Sequence, residues 1–236
     1  MHRRSLLALS FAVLVLPACE NLSLEDVLAA ANGEGGDSTI AAGLREALTV
    51  GADTVVSNLG TTGGFARSPS YRIELPETLK TAQRFASTVG LGGYFQTLED
   101  KMNEAAEAAT PKAQALFLGA IKQLSFADVM GIYNGGDDAA TRYLEEKTGA
   151  QLATEMRPII ERSLNQVGAY TTFNELLSRY NALPLVEDID ADLTGHVVSF
   201  AGQAIFNELG EQEAAIRKDP ARQTTALLRQ VFGNGS

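Results

Sequence analysis

The chain has 236 residues, with 19 Lys and Arg against 29 Asp and Glu, a formal net charge of −10 and one cysteine. That length supports a hydrophobic core, and a single cysteine leaves no internal disulfide to staple it. The acidity works against nucleic acid, and no basic stretch with interleaved aromatics reverses it, so nucleic acid is not an expected partner.

His2, Arg3 and Arg4 precede an apolar run from Leu6 to Leu16, followed by Leu16-Pro17-Ala18-Cys19. The run falls well short of the ~20 residues that span a bilayer. The pattern resembles a bacterial lipoprotein signal with its lipobox, in which the cysteine is diacylated, the preceding peptide removed and the new amino end acylated. A plain secretory signal ending near Ala18 is the competing reading. On the lipoprotein reading, residues 1–18 are the signal peptide, and the membrane is a partner through lipidated, palmitate-bearing Cys19. Glu20 stands where aspartate is the usual inner-membrane retention signal, which points to the periplasmic face of the outer membrane. Loss of Arg3 and Arg4 takes the formal charge from −10 to −12.

Residues 19–37 are polar and glycine-bearing and read as a tether, with one short helix over 24–31. Ser38 is expected to cap a helix whose face carries Ile40, Leu44, Ala47, Leu48, Val55, Val56 and Leu59, ending at Gly60. Thr61 to Ser70 is a loop by its Gly, Ser and Pro content. Tyr71-Arg72-Ile73-Glu74-Leu75 alternates like a half-buried strand; with no evident partner, it pairs with another segment or lies extended against helices. Pro76 starts the next helix, with Leu79, Ala82, Phe85, Ala86 and Val89 on one side and a stop at Gly90.

Leu91 to Ala109 continues with Tyr94, Phe95, Leu98 and Met102, then an alanine-rich block whose small side chains admit a close helix. Thr110-Pro111 breaks it, and Ala113, Leu116, Phe117, Ala120, Ile121 and Leu124 form the next stripe. Phe126, Val129, Met130 and Tyr133 give a short helix ending at Asn134. Gly135 and Gly136 then read as a hinge, with either able to take positive φ, and Asp137 or Asp138 as the cap of a second helix running to about Thr148. After Gly149, Leu152, Met156, Ile159, Ile160 and Leu164 predict another helix, kinked at Pro158. Phe173, Leu176, Leu177 and Tyr180 make a shorter one. Leu193, Val197, Phe200, Ala204, Ile205 and Leu209 open a final helical region that closes with Leu227, Leu228, Val231 and Phe232. No fixed-period repeat or internal linker interrupts residues 40–232. The fold class is therefore all-α: one multi-helix, bundle-like domain over 38–236, with at most one short strand or hairpin.

Several blocks carry a family resemblance: Leu75-Pro76-Glu77, Asn103-Glu104-Ala105-Ala106-Glu107, Ala120 to Phe126, Gly135 to Thr141, Asp192-Leu193, and the ending Ile216 to Phe232. In this order they resemble the bacterial family known as domain of unknown function 4197. The resemblance implies an exported, mostly helical protein of Gram-negative bacteria, and brings no catalytic or binding residues with it.

Candidates for chemistry are few. Apart from the leader, the chain has one histidine, His196, with no Gly-x-Ser-x-Gly elbow to accompany it, so it reads as a structural or surface residue. Asp188, Asp190 and Asp192 alternate like the start of a calcium loop, but Leu193 and Ser199 occupy the positions that need glycine and glutamate. An acidic start to the following helix is the better reading. Arg217 and Lys218 read as exposed helix-end partners for Glu208, Glu211 and Glu213. At the hinge, Asp137 and Asp138 either cap a helix or hold a cation together with Glu104, Glu107 and Asn103, with capping favoured. No cofactor is expected. The functional expectation is a non-enzymatic interaction or scaffold module of the cell envelope, with an envelope protein as partner. The alternatives are a small-molecule or cation-binding carrier and a carboxylate- or metal-dependent hydrolase.

Overall fold

A computed structural model of the chain describes residues 35–184, 186 and 189–233. The signal segment, Cys19, the short helix expected over 24–31, and Asp188 lie outside the described residues. The fold is all-α: among the described residues there are helices and 3-10 turns and no strand. None of these helices alone is long and apolar enough to cross a membrane.

The first helix, α1 (Gly35–Leu59), already includes Ser38, so its start lies before the residue expected to cap it. Its buried face holds Leu44, Leu48, Ala52, Val55 and Leu59. Gly51 lets the body of the protein come close, since a Cβ there would stand 3.2 Å from Leu209 Cδ1. The loop that follows buries Phe65 completely. Then come α2 (Glu77–Ala86), a 3-10 turn (Ser87–Val89) closed by Gly90 at φ 84°, and α3 (Gly92–Ala109). Leu79, Ala82 and Ala86 form the buried side of α2, whereas Phe85 and Val89, expected on that side, face solvent at 48% and 51% exposure.

Pro111 opens α4 (Pro111–Lys122), which buries Ala113, Phe117 and Ile121. The short α5 (Phe126–Tyr133) starts in a capping box, with Ser125 Oγ accepting from the Asp128 amide and the Asp128 carboxylate accepting from Ser125 N–H at 2.9 Å. It buries Val129 and Ile132, and Phe126 is exposed, so its stripe sits one position away from the expected one.

The longest helix, α6 (Ala139–Gln166), runs unbroken through Gly149 and Pro158, where the sequence suggests a division at Gly149. One glycine costs a helix only about 1 kcal/mol, and continuous burial of Leu144, Leu152, Met156, Ile160 and Leu164 outweighs that. This helix packs along α3, α4 and α8 (Leu193–Lys218), with α7 (Ala169–Tyr180) against α3 and α6. Asp192 caps α8, accepting from Gly195 N–H at 2.8 Å, in keeping with the expected acidic start. Phe200, expected in the α8 stripe, is exposed and lies against the His196 ring, while Val198, Ala201 and Phe206 are buried in addition. After a 3-10 turn (Pro220–Arg222), α9 (Ala226–Phe232) packs Leu228 against Ala47 and Ile216.

The segment expected as a strand lies extended, and a side chain takes the place of a partner strand. Asn103 of α3 accepts from Ile73 N–H at 2.8 Å and donates to Ile73 C=O at 2.8 Å, the two bonds an antiparallel neighbour would make. All of these groups are buried, so Asn103→Ala leaves a backbone donor and a backbone acceptor unpaired away from water. The expected loss is about 2–4 kcal/mol in urea unfolding. A loss under about 0.5 kcal/mol would show that the segment does not depend on this amide.

Candidate functional site

The Gly135-Gly136 stretch joins α5 to α6, but it is not the left-handed hinge that the glycines suggest. Among the described residues, positive φ occurs at Gly63, Gly90 and Gly168, and not at Gly135 or Gly136. Gly135 is needed for room, because a Cβ there would lie 2.5 Å from Ala139 Cβ. A Cβ on Gly136 would meet only ordinary contacts at 3.6 Å.

Neither aspartate caps α6. Asp138 occupies the N-cap position without a side-chain bond to the helix start, and instead pairs with Arg142 at 3.1 Å, both side chains being more than half exposed. Asp137 pairs with Lys218. The cap comes from Glu213, 72 residues further along the chain, on α8. Its carboxylate accepts from Ala140 N–H at 3.0 Å, from Thr141 N–H at 2.8 Å and from Thr141 Oγ1 at 2.8 Å. These are first-turn donors with no partner inside the helix, and the buried carboxylate meets the positive end of the dipole.

Arg217, one turn along α8, donates from Nε and Nη2 to Glu213 Oε1 at 3.0 and 2.9 Å, and from Nη2 to Ile132 C=O at the end of α5 at 3.1 Å. Its guanidinium also lies over the Phe232 ring at 5.7 Å. With side chains only 12% and 6% exposed, Arg217 and Glu213 form a buried pair, not the solvated helix-end contact expected from sequence.

The remaining members of the expected cation set sit elsewhere. Glu107 points its carboxylate at the loop after α1, accepting from Gly63 N–H at 2.9 Å and from Phe65 and Ala66 N–H at 3.1 Å. Asn103 is committed to Ile73, and Glu104 is exposed on α3. The five side chains are therefore not gathered around one point, and no group of three or more His, Cys, Asp or Glu placed to hold a metal occurs among the described residues. His196 is also engaged, with Nε2 2.7 Å from Glu74 C=O, so this nitrogen carries the proton.

One open groove does lie at the start of α6. It has a volume of about 530 Å³, and its lining includes Tyr71, Asp138, Thr141, Glu145, Phe206 and Glu211. That is within the usual range of ligand sites, about 300–1,000 Å³. Thr141 ties the groove wall to the Glu213 cap. The Tyr71 hydroxyl oxygen is buried beside the Glu211 and Glu208 carboxylates. Burial pushes its phenol well above the ordinary range, and the neighbouring Glu211 and Glu208 carboxylates add to this by hydrogen bonding and by charge, so it stays protonated. The sequence points to the hinge and to Asp138 but gives no sign of Tyr71, Glu145 and Glu211, because α8 and the loop before α2 reach the groove from far along the chain. The enclosed crevice beneath Phe232 is much smaller, at about 10 Å³, room for a single water.

The assignment of the cap is testable by unfolding in urea. Glu213→Ala strands Arg217 and two helix-start amides, for an expected loss of about 3–5 kcal/mol. Asp137→Asn and Asp138→Asn each remove only an exposed pair and should cost under about 1 kcal/mol. A reversed ranking would return the cap to the aspartates.

The family described as a protein of unknown function, DUF4197, matches residues 34–233. No curated protein and no solved structure matches the chain. The family match runs from just before α1 to the residue after α9, so the chain belongs to the DUF4197 family.

Proposed function

We propose that this protein is an outer-membrane lipoprotein facing the periplasm, and that its helical domain works as a non-enzymatic interaction or scaffold module. The N-terminal address rests on Arg3, Arg4, the apolar run to Leu16 and Cys19 at the end of the lipobox-like stretch. The observation that carries the non-catalytic reading is the use made of the buried chemical groups. Glu107, Glu213 and Asn103 hold backbone, and Arg217 holds Glu213. A side chain fixed in this way positions structure and is not free to exchange protons with a substrate.

A rigid domain on an acyl anchor suits the holding of a partner close to the membrane. Multiple acyl chains give stable attachment, since each buried CH₂ contributes about 0.8 kcal/mol. A carrier of small molecules is the second reading, favoured by the groove at the start of α6.

Metabolic labelling with palmitate and membrane fractionation test the address. Cys19→Ala is expected to lose the label and the outer-membrane association while the domain melts as in the wild type. Label retained by that variant refutes acylation at Cys19. For the module itself, cross-linking in intact cells at native expression should return one recurrent envelope protein, and returning none counts against a scaffold.

A further inference from the structure

We infer that the exposed turn between α2 and α3 docks on an anionic phospholipid surface, with Phe85 and Val89 entering the head-group layer and Arg84 and Arg179 beside it. This deepens the lipoprotein reading and takes its setting, a domain tethered at Cys19, from that reading. Four large apolar side chains stand exposed among the described residues, and two of them, Phe85 and Val89, fall within one five-residue window. They are four apart on a run that is helical through the end of α2 and the 3-10 turn, so their side chains are neighbours on its surface. Gly90 follows at φ 84°, and a Cβ on it or on Gly93 would meet nothing within 4 Å, so the backbone there is uncovered.

Charge selects the occupant. From Thr78 to Leu98 the chain carries Lys80 and Arg84 and no acidic residue, within a protein of net charge −10. Lys80 is matched by Glu74 and Glu77, whereas Arg84 donates to the Thr81 hydroxyl at 3.1 Å and has no ion-pair partner among the described residues. Arg179 of α7, likewise without a carboxylate partner among them, lies over the ring of Tyr94 in the first turn of α3, at 4.9 Å. Apolar side chains flanked by basic groups and a tyrosine match the layering of a bilayer surface, where hydrocarbon gives way to anionic head groups.

The size of the patch decides against a protein partner. A stable protein interface buries about 800 Å² on each side, which two half-exposed side chains do not approach. A tethered domain needs far less, because the tether makes the second contact an intramolecular one. Cys19 and Gly35 are sixteen positions apart, a reach of at most about 55 Å. That exceeds the roughly 40 Å width expected of a domain of about 200 residues.

The chain has no tryptophan, so Phe85→Trp, Val89→Trp and Phe126→Trp variants of the full protein, purified from the envelope, each carry a single reporter. Phe126 is the control: it is 51% exposed and separated from the turn by near-continuous helix from Gly92 to Lys122, roughly 45 Å at 1.5 Å per residue. Each variant is reconstituted with vesicles of phosphatidylethanolamine and phosphatidylglycerol, the latter brominated on its acyl chains. Flotation reads attachment, and quenching of the tryptophan reads the turn. Phe85→Trp and Val89→Trp are expected to emit at shorter wavelength and to be quenched, and Phe126→Trp to do neither. Brominated phosphatidylcholine in place of phosphatidylglycerol should weaken the quenching. Adding Arg84→Gln to Val89→Trp should lower the ratio of docked to undocked domain on the anionic vesicles about fivefold, the worth of one basic residue near such a surface. Chains that float without quenching at positions 85 and 89, or with equal quenching at 126, overturn the docking and leave the anchor standing. Quenching indifferent to lipid charge and to Arg84→Gln overturns the anionic surface as occupant. A spectral shift that requires added envelope protein in place of lipid gives the face to a protein partner and overturns it too. Chains that do not float overturn the anchor and the docking together.

Discussion

The Glu213 carboxylate, buried at the start of α6, is the contact on which the arrangement of the domain most depends. Removing a carboxylate from water costs several kcal/mol, and the cost is offset only where the geometry is good and the lone pairs are filled. Here two backbone amides, one hydroxyl and a guanidinium fill them, at 2.8 to 3.0 Å. Charge-assisted bonds of this length are roughly twice as strong as neutral ones. Through Arg217 the same carboxylate reaches the Ile132 carbonyl, and through the Phe232 ring the group extends to α9. One residue of α8 thus fixes the end of α5, the beginning of α6 and the seat of the C-terminal helix. The glycine stretch between α5 and α6 is accordingly a tight connection held from outside, not a free joint.

A related device operates at the connection between α1 and α2. There α3 supplies Glu107 to three loop amides and Asn103 to both polar groups of Ile73, while Arg72 pairs with Glu99 and Asp100 of the same helix at 2.6 and 2.8 Å. Buried backbone must find hydrogen bonds, and a segment with strand-like alternation would ordinarily find them in a sheet. Because Asn103 offers one acceptor and one donor at the required spacing, the extended segment is satisfied without a second strand. An all-α protein can therefore contain a sequence that alternates like β.

Helical periodicity in the sequence makes most of the fold legible. Leu44, Leu48, Val55 and Leu59 of α1, Phe95, Leu98 and Met102 of α3, Ala113, Phe117 and Ile121 of α4, and Leu152, Met156, Ile160 and Leu164 of α6 are buried as the 3.6-residue spacing selects, and Asp192 is readable as a helix start. The misses have physical causes. Phe85, Phe126 and Phe200 are large and apolar and sit near the edges of their stripes, where hydropathy alone cannot say whether a neighbouring element covers them. Gly149 looks like a stop because glycine is a weak helix former, yet tertiary packing carries α6 through it. The roles of Asn103, Glu107 and Glu213 are hidden for a different reason. Each serves backbone 30 to 73 residues distant, and backbone partners leave no trace in residue identity. The aspartates beside the hinge satisfy every local rule for a cap and lose to a carboxylate brought in by the fold.

The groove follows from the same helix that provides the cap. On α8, Phe206, Asn207, Gly210, Glu211 and Ala214 follow a spacing of three and four and line the groove, while Glu213 and Arg217 are four apart on an adjoining stripe that faces inward. Glu213 draws the first turn of α6 onto α8, and Thr141, whose amide and hydroxyl it binds, stands at the boundary between the two stripes. Gly210, three residues earlier, places no side chain opposite Thr141, so the surfaces that are locked together at Glu213 leave space beside it. The cap is buried and the groove carboxylates Glu145 and Glu211 are exposed, so the helices that hold the fold together also line the groove, through separate side chains. A groove built this way keeps its shape from buried groups, which leaves its exposed side chains open to change without loss of the fold.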